Sequence, residues 1–162
     1  MNITTSKSDT LFRVIAVDLI ILTTICLVPA LSHLLAVPFY KLNPMLLCLL
    51  AAMVLVRDRR NALLMAVLMP VASTLTTGFP TAANLACMIP ELLVVATLVP
   101  LCMKKMPAMV SVVIAAMSGK VVFYTLRAVL FAPATLVGTN ILLQIGVVVA
   151  AAMAFGLVMR RR

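Results

Sequence analysis

The chain has 162 residues, of which 65% are hydrophobic and only 10% charged, with a mean hydropathy of +1.25. A soluble domain is about 45–50% apolar and about 25% charged, so this chain carries more apolar surface than a water-soluble core can hide, and lipid must be its solvent. A formal net charge of +9 would point to nucleic acid in a soluble protein, but here the basic residues fall in short clusters between apolar runs, a pattern of membrane topology that argues against a nucleic-acid partner.

A helix needs about 20 apolar residues to cross roughly 30 Å of hydrocarbon. The chain reads as an all-α membrane protein, one domain over residues 1–162, with six spans. Met1–Thr10 is polar and the apolar run after it is longer than a signal-peptide core of about 7–15 residues, so no cleaved signal is expected. The first span runs over 11–36, opened by Ser8 and Asp9 as a cap. The second, 43–56, is short and needs tilt or shielding by its neighbours. The third covers 61–77, the fourth 83–103, the fifth 108–132 and the sixth 139–159. Pro38, Pro44, Gly78-Phe79-Pro80, Met106-Pro107, Ala132-Pro133 and Gly138 punctuate the connections. Pro29, Pro70, Pro90 and Pro100 fall inside spans and imply kinks, since membrane helices tolerate proline. Cys26, Cys48, Cys87 and Cys102 sit in apolar stretches without CxxC spacing and read as small packing residues.

Charge orients the bundle. Lys7, Arg13, Arg57, Arg59, Arg60, Lys104, Lys105, Arg160, Arg161 and Arg162 occupy one set of connections and the ends, against Lys41 alone in the other set. Ten against one is a positive-inside signal that places both termini in the cytoplasm. The connections 37–42, 78–82 and 133–138 then face outward. No internal repeat or pair of broken helices suggests a complete alternating-access transporter.

Ionisable residues within spans are costly, at least about 2.5–3.5 kcal/mol each at mid-membrane on insertion scales, and so are informative. Asp18, Glu91, Lys120 and Arg127 qualify. Lys120, Tyr124 and Arg127 share a face of the fifth span at spacings of four and three. Asn84 and Glu91 share a face of the fourth, and Asn140 and Gln144 a face of the sixth. A water-accessible cavity open to the outside between these three helices would serve all of them. Two cations against one anion leave a positive charge that a carboxylate or phosphate of a ligand would meet. The simpler reading is an ion pair of Glu91 with Lys120 or Arg127 that only holds helices together. Asp18 reads as structural. His33 is either an interfacial anchor or a ligand contact. The twelve methionines lack clustered spacing and read as packing residues.

Enzyme signatures are missing: there is no HExxH, GxSxG, Walker A or paired acidic motif. A non-enzymatic protein without cofactor is expected, and any ATP-driven work must come from a partner.

The stretch Met69-Pro70-Val71-Ala72-Ser73-Thr74-Leu75-Thr76-Thr77-Gly78-Phe79-Pro80, followed by Met88-Ile89-Pro90-Glu91-Leu92, resembles the substrate-binding S components of energy-coupling factor (ECF) vitamin transporters. That resemblance implies a protein of the prokaryotic cell membrane that binds a vitamin or related micronutrient on its outer side. It further implies docking on a transmembrane coupling subunit with two ATPase subunits. Carried onto this chain, it assigns the substrate to Tyr40, Lys41, Asn43, Thr77, Phe79, Thr81 and Asn84 from the outer connections. From the helices it adds Glu91, Lys120, Tyr124, Arg127, Asn140 and Gln144. The chain departs from the pattern on the first span, where Ala16 is followed four residues later by Ile20 instead of a second alanine. Ala62/Ala66 and Ala150/Ala154 offer small-residue faces elsewhere, and with no tryptophan, Tyr40, Phe79 and Tyr124 must supply any stacking. The alternative is a small multi-span scaffold like the rod-shape protein MreD, which works through protein contacts and needs no cavity.

Overall fold

Polar caps and one glycine fix where the helices stop. The computed structural model describes residues 7–36, 39–131 and 141–160. Along the chain lie α1 (Lys7–Leu34), a 3-10 turn (Phe39–Leu42), α2 (Pro44–Val56), α3 (Arg59–Thr77), α4 (Ala82–Cys102), α5 (Ala108–Phe131) and α6 (Ile141–Arg160). Among the described residues there is no strand. The Asn43 side chain accepts the Leu46 N–H at 3.4 Å, and Pro44 follows at a first-turn position where its missing N–H has no intrahelical role. Asp58 caps α3 by accepting the Arg60 N–H at 3.0 Å. Gly78, at φ +71°, ends α3 and donates its N–H to the Thr74 carbonyl at 2.9 Å, the left-handed closure that glycine favours.

Helix limits follow the sequence expectation to within about two residues except at α1. That helix is already formed at Lys7, so Ser8 and Asp9 lie within its first turns instead of capping it at Leu11. An acidic residue there suits the positive end of the helix dipole. α1 stops at Leu34, before Ala36 turns to φ +52°. Pro29, Pro70, Pro90 and Pro100 are inside helices as expected. Hydroxyls in the helices bond back to their own backbone: Thr23 to the Leu19 carbonyl at 2.8 Å, Thr97 to Leu93 at 2.9 Å and Ser111 to Pro107 at 3.1 Å. An apolar surround demands such internal pairing.

α2 through α6 form a closed ring, each packing on the next in chain order and α6 returning to α2, while α1 lies outside against α2 and α3. The core uses small residues to bring helices together: Leu49, Met65, Ala66, Val95, Ala96, Val112, Ala115 and Ala152 are fully buried. Ala62 and Ala66 belong to this core, so that small-residue pair is not available as a docking face; Ala150 and Ala154 on α6 are exposed.

The contacts sort the helix termini into two ends. Arg13 Nη2 donates to the Leu55 carbonyl at 3.4 Å, setting the first part of α1 beside the end of α2. The end of α2, the start of α3 and the ends of α4 and α6 meet around one cavity. Arg57, Arg59, Arg60, Lys104, Lys105 and Arg160 therefore gather at this basic end. At the opposite end the start of α4 meets the end of α5, and the end of α5 meets the start of α6, through side-chain hydrogen bonds.

The outer surface is apolar. α1 exposes Leu11, Phe12, Ile15, Leu19, Ile20 and Leu27. Among the described residues, three helical stretches are long and apolar enough to cross a membrane: Leu11–Leu34, Ala82–Cys102 and Ala108–Phe131. α2 has 13 residues and reaches only about 20 Å at 1.5 Å per residue. α3 opens on Arg59 and Arg60.

Asp18 pairs with an amide on a neighbouring helix. Asn61 Nδ2 donates to Asp18 Oδ1 at 2.9 Å, tying α1 to α3, and Asn61 is buried.

Candidate functional site

Glu91 is nine positions into α4, about 14 Å from its start at 1.5 Å per residue. Lys120 lies near the middle of the 24-residue α5. These depths meet because α4 and α5 pack very closely. Gly119 makes this possible: a Cβ there would fall 3.0 Å from the Glu91 carbonyl oxygen and 3.1 Å from Val95 Cγ2. Across this contact Lys120 Nζ sits 2.8 Å from Glu91 Oε1, with the Glu91 side chain 4% exposed and that of Lys120 17% exposed. A charge-assisted bond of this length is strong locally, and removing one partner would leave a charge stranded among apolar groups.

Further along the same face, Arg127 Nη1 donates to Asn84 Oδ1 at 3.1 Å, again joining α5 to α4. The Tyr124 hydroxyl donates to Gln144 Oε1 at 3.3 Å, joining α5 to α6. Phe123 sits between the two cations. Lys120 Nζ lies 5.3 Å and Arg127 Cζ 6.0 Å from its ring centroid, while Tyr124 meets the ring edge-on at 5.4 Å. A ring face near a cation contributes about 0.5–1 kcal/mol when exposed and more when desolvated.

Glu91, Lys120, Arg127, Asn84, Tyr124 and Gln144 are thus brought into one polar cluster across three helices. A groove of about 400 Å³ opens between α5 and α6, lined by Lys120, Tyr124, Thr125 and Gln144 with Met117, Val121 and Ile145. Asn84, Glu91 and Arg127 are not on its wall.

The Gly-Phe-Pro connection consumes its own hydroxyls. Ser73 Oγ donates to the Phe79 carbonyl at 2.6 Å; Thr74 Oγ1 lies 2.8 Å from the Pro70 carbonyl and 3.0 Å from that of Pro80, and Thr77 Oγ1 lies 2.8 Å from the Ser73 carbonyl and 3.2 Å from that of Phe79. The Phe79–Pro80 peptide is cis. Phe79 itself is 42% exposed, and Thr81 precedes α4 exposed, without a side-chain capping bond. Tyr40 and Lys41 belong to the 3-10 turn, which packs on α1, α2 and α6; their side chains lie outside the described residues, as does Asn140. The Asn43 Nδ2 is buried without a hydrogen-bond partner among the described residues, as is Ser32 Oγ on α1. His33 is exposed on α1, which among the described residues touches α2, α3 and the 3-10 turn but none of α4–α6, so it does not join the polar cluster.

Three participants were absent from the sequence expectation. Phe123 was legible, at three residues from Lys120 and four from Arg127. Gly119 carried only the weak signal of a glycine beside an intramembrane lysine. Asn61 carried none, because its partner Asp18 is 43 residues away.

No family model, curated protein or solved structure matches this chain.

Proposed function

We propose that this chain is the membrane-embedded substrate-binding subunit of an ATP-driven micronutrient uptake transporter, of the ECF S-component kind. In this reading six helices cross the cell membrane of a prokaryote with both termini in the cytoplasm, the basic end faces inward and the polar cluster faces outward. The short α2 is accommodated by its position in the ring, where α3 and α6 shield it.

The observation that carries the proposal is the groove between α5 and α6 at the polar end. It brings Lys120, Tyr124 and Gln144 to one apolar-walled recess, the combination that small-molecule sites use: an apolar enclosure with a few convergent polar groups. Glu91 is the sole acidic residue of α4 to α6, against the two cations Lys120 and Arg127, so the cluster carries net positive charge. A carboxylate or phosphate of a substrate complements that charge. The tyrosine hydroxyl and the glutamine amide read its remaining polar groups. The chain is not an enzyme in this account. It binds substrate, and a coupling subunit with two ATPase subunits supplies the energy.

The scaffold reading draws on a specific observation too. The Glu91–Lys120 pair is closed at 2.8 Å and nearly buried, as bundle glue would be. Small molecules that copurify with gently solubilised protein separate the two readings. Mass spectrometry should find one low-mass anionic compound near stoichiometry with the chain. Finding only lipid and detergent in repeated preparations would favour the scaffold.

A further inference from the structure

Two cavities adjoin at the basic end. One, of about 430 Å³, is rimmed by Arg57, Asp58 and Arg59 and walled by Met53, Pro100 and Phe155. The other, of about 620 Å³, lies between the start of α5 and the end of α6, with Met109, Met153 and Arg160 on its border. Met103 and Met159 line both, so the two spaces share one wall of thioethers. Arg57, Arg59 and Arg160 are all exposed on the rim. The Asp58 carboxylate also lies there, but it is engaged as the α3 cap, accepting the Arg60 N–H at 3.0 Å. Three arginines against one carboxylate leave the rim positive.

Below the rim the lining turns apolar. Met153 is seven residues before Arg160 on α6, about 10 Å deeper along the helix. Methionine side chains are flexible and polarizable and conform to irregular apolar guests. A soluble anion would use only the rim, and an apolar peptide would leave the arginines without a counter-charge. An anion joined to a long flexible hydrocarbon uses both parts. Basic pockets between membrane helices near the cytoplasmic surface have this character.

We propose that this paired cavity is a binding site for an anionic phospholipid of the leaflet at the basic end. Its phosphate is held by Arg57, Arg59 and Arg160, and an acyl chain lies along Met103 and Met159. The site is separate from the groove at the polar end and stands or falls independently of substrate binding there.

The chain has no tryptophan, so Met159→Trp installs a single fluorescent reporter in the cavity wall. The full-length protein carrying this change is reconstituted in phosphatidylcholine bilayers doped with brominated phosphatidylglycerol or, separately, brominated phosphatidylcholine. At equal mole fraction the anionic lipid should quench several-fold more effectively. Adding Arg57→Gln and Arg59→Gln should reduce that preference by roughly fivefold or more. Adding Lys104→Gln and Lys105→Gln, the same loss of charge away from the cavity wall, should leave most of it. Equal quenching by the two lipids would overturn the proposal. So would equal loss in the arginine and lysine pairs, which is general surface attraction. Relief of quenching by excess inorganic phosphate would reassign the rim to a soluble anion. If the arginine pair fails to fold, the comparison of the two lipids in the protein carrying Met159→Trp alone decides the case.

Discussion

Lys120 reaches Glu91 at 2.8 Å because Gly119, the residue before it, has no side chain to hold α5 away from α4. The pair and the glycine act as one unit. The glycine sets the helix separation, the separation sets the reach of the ammonium, and the ammonium neutralises the acidic side chain of α4. The remaining exposure of Lys120 is on the side of the α5–α6 groove, so the residue that secures the bundle also borders the proposed substrate site.

Gly119→Ala should destabilise the protein. Alanine improves helix propensity by about 1 kcal/mol over glycine, whereas overpacking a close contact costs about 1–3 kcal/mol. Overpacking should win here, because one of the atoms met at 3.0 Å is a backbone carbonyl that cannot rotate aside. Thermal unfolding followed by size-exclusion chromatography should give a lower midpoint. A raised midpoint would mean that α4 and α5 separate without penalty.

Glu91→Gln and Lys120→Met each strand the other partner, and breaking a buried pair costs about 3–5 kcal/mol. The double substitution removes both charges and should recover a large part of that loss. Unfolding midpoints of the two single variants and the double variant form the test. A double variant with the summed loss of the two singles would show that the residues are not coupled.

Asp18→Ala should cost about 1–3 kcal/mol by leaving the buried Asn61 amide without its acceptor, while Asp18→Asn, which keeps an acceptor oxygen, should cost much less. Thermal midpoints compare the two. Equal losses would mean that the charge of Asp18, and not its bond to Asn61, matters.

Topology has a direct readout. Single cysteines at positions 58 and 104, in a background lacking the four native ones, should react with a membrane-impermeant maleimide only after the membrane is opened. A cysteine at position 79 should react in intact cells. Labelling of position 58 from outside would invert the bundle and with it the proposed binding face.

Much of the fold was legible because its signals are local. Proline, glycine and capping residues end helices where they occur, and a run of apolar residues needs no partner to declare itself. The polar stripes on α4 and α5 were legible for the same reason, since spacings of three, four and seven fix a shared face. Partner choice was less so. Glu91 had two cations within reach, and only the close packing at Gly119 gives it to Lys120, with Arg127 turning to Asn84 instead. Asp18 with Asn61, and the self-bonded Ser73–Pro80 connection, depend on contacts between helices or around a turn that spacing does not encode.

Calorimetric titration of the copurified compound into purified wild-type and Lys120→Ala proteins tests the central claim most directly, because Lys120 is the cation on the groove wall. A hydrogen bond to a charged group contributes about 1.5–3 kcal/mol, so the loss should weaken binding by roughly ten- to a hundred-fold. Arg160→Ala, at the opposite end, should leave affinity unchanged. If Lys120→Ala folds and binds with wild-type affinity, the positive cluster at the polar end is structural and the account of an anionic substrate is wrong.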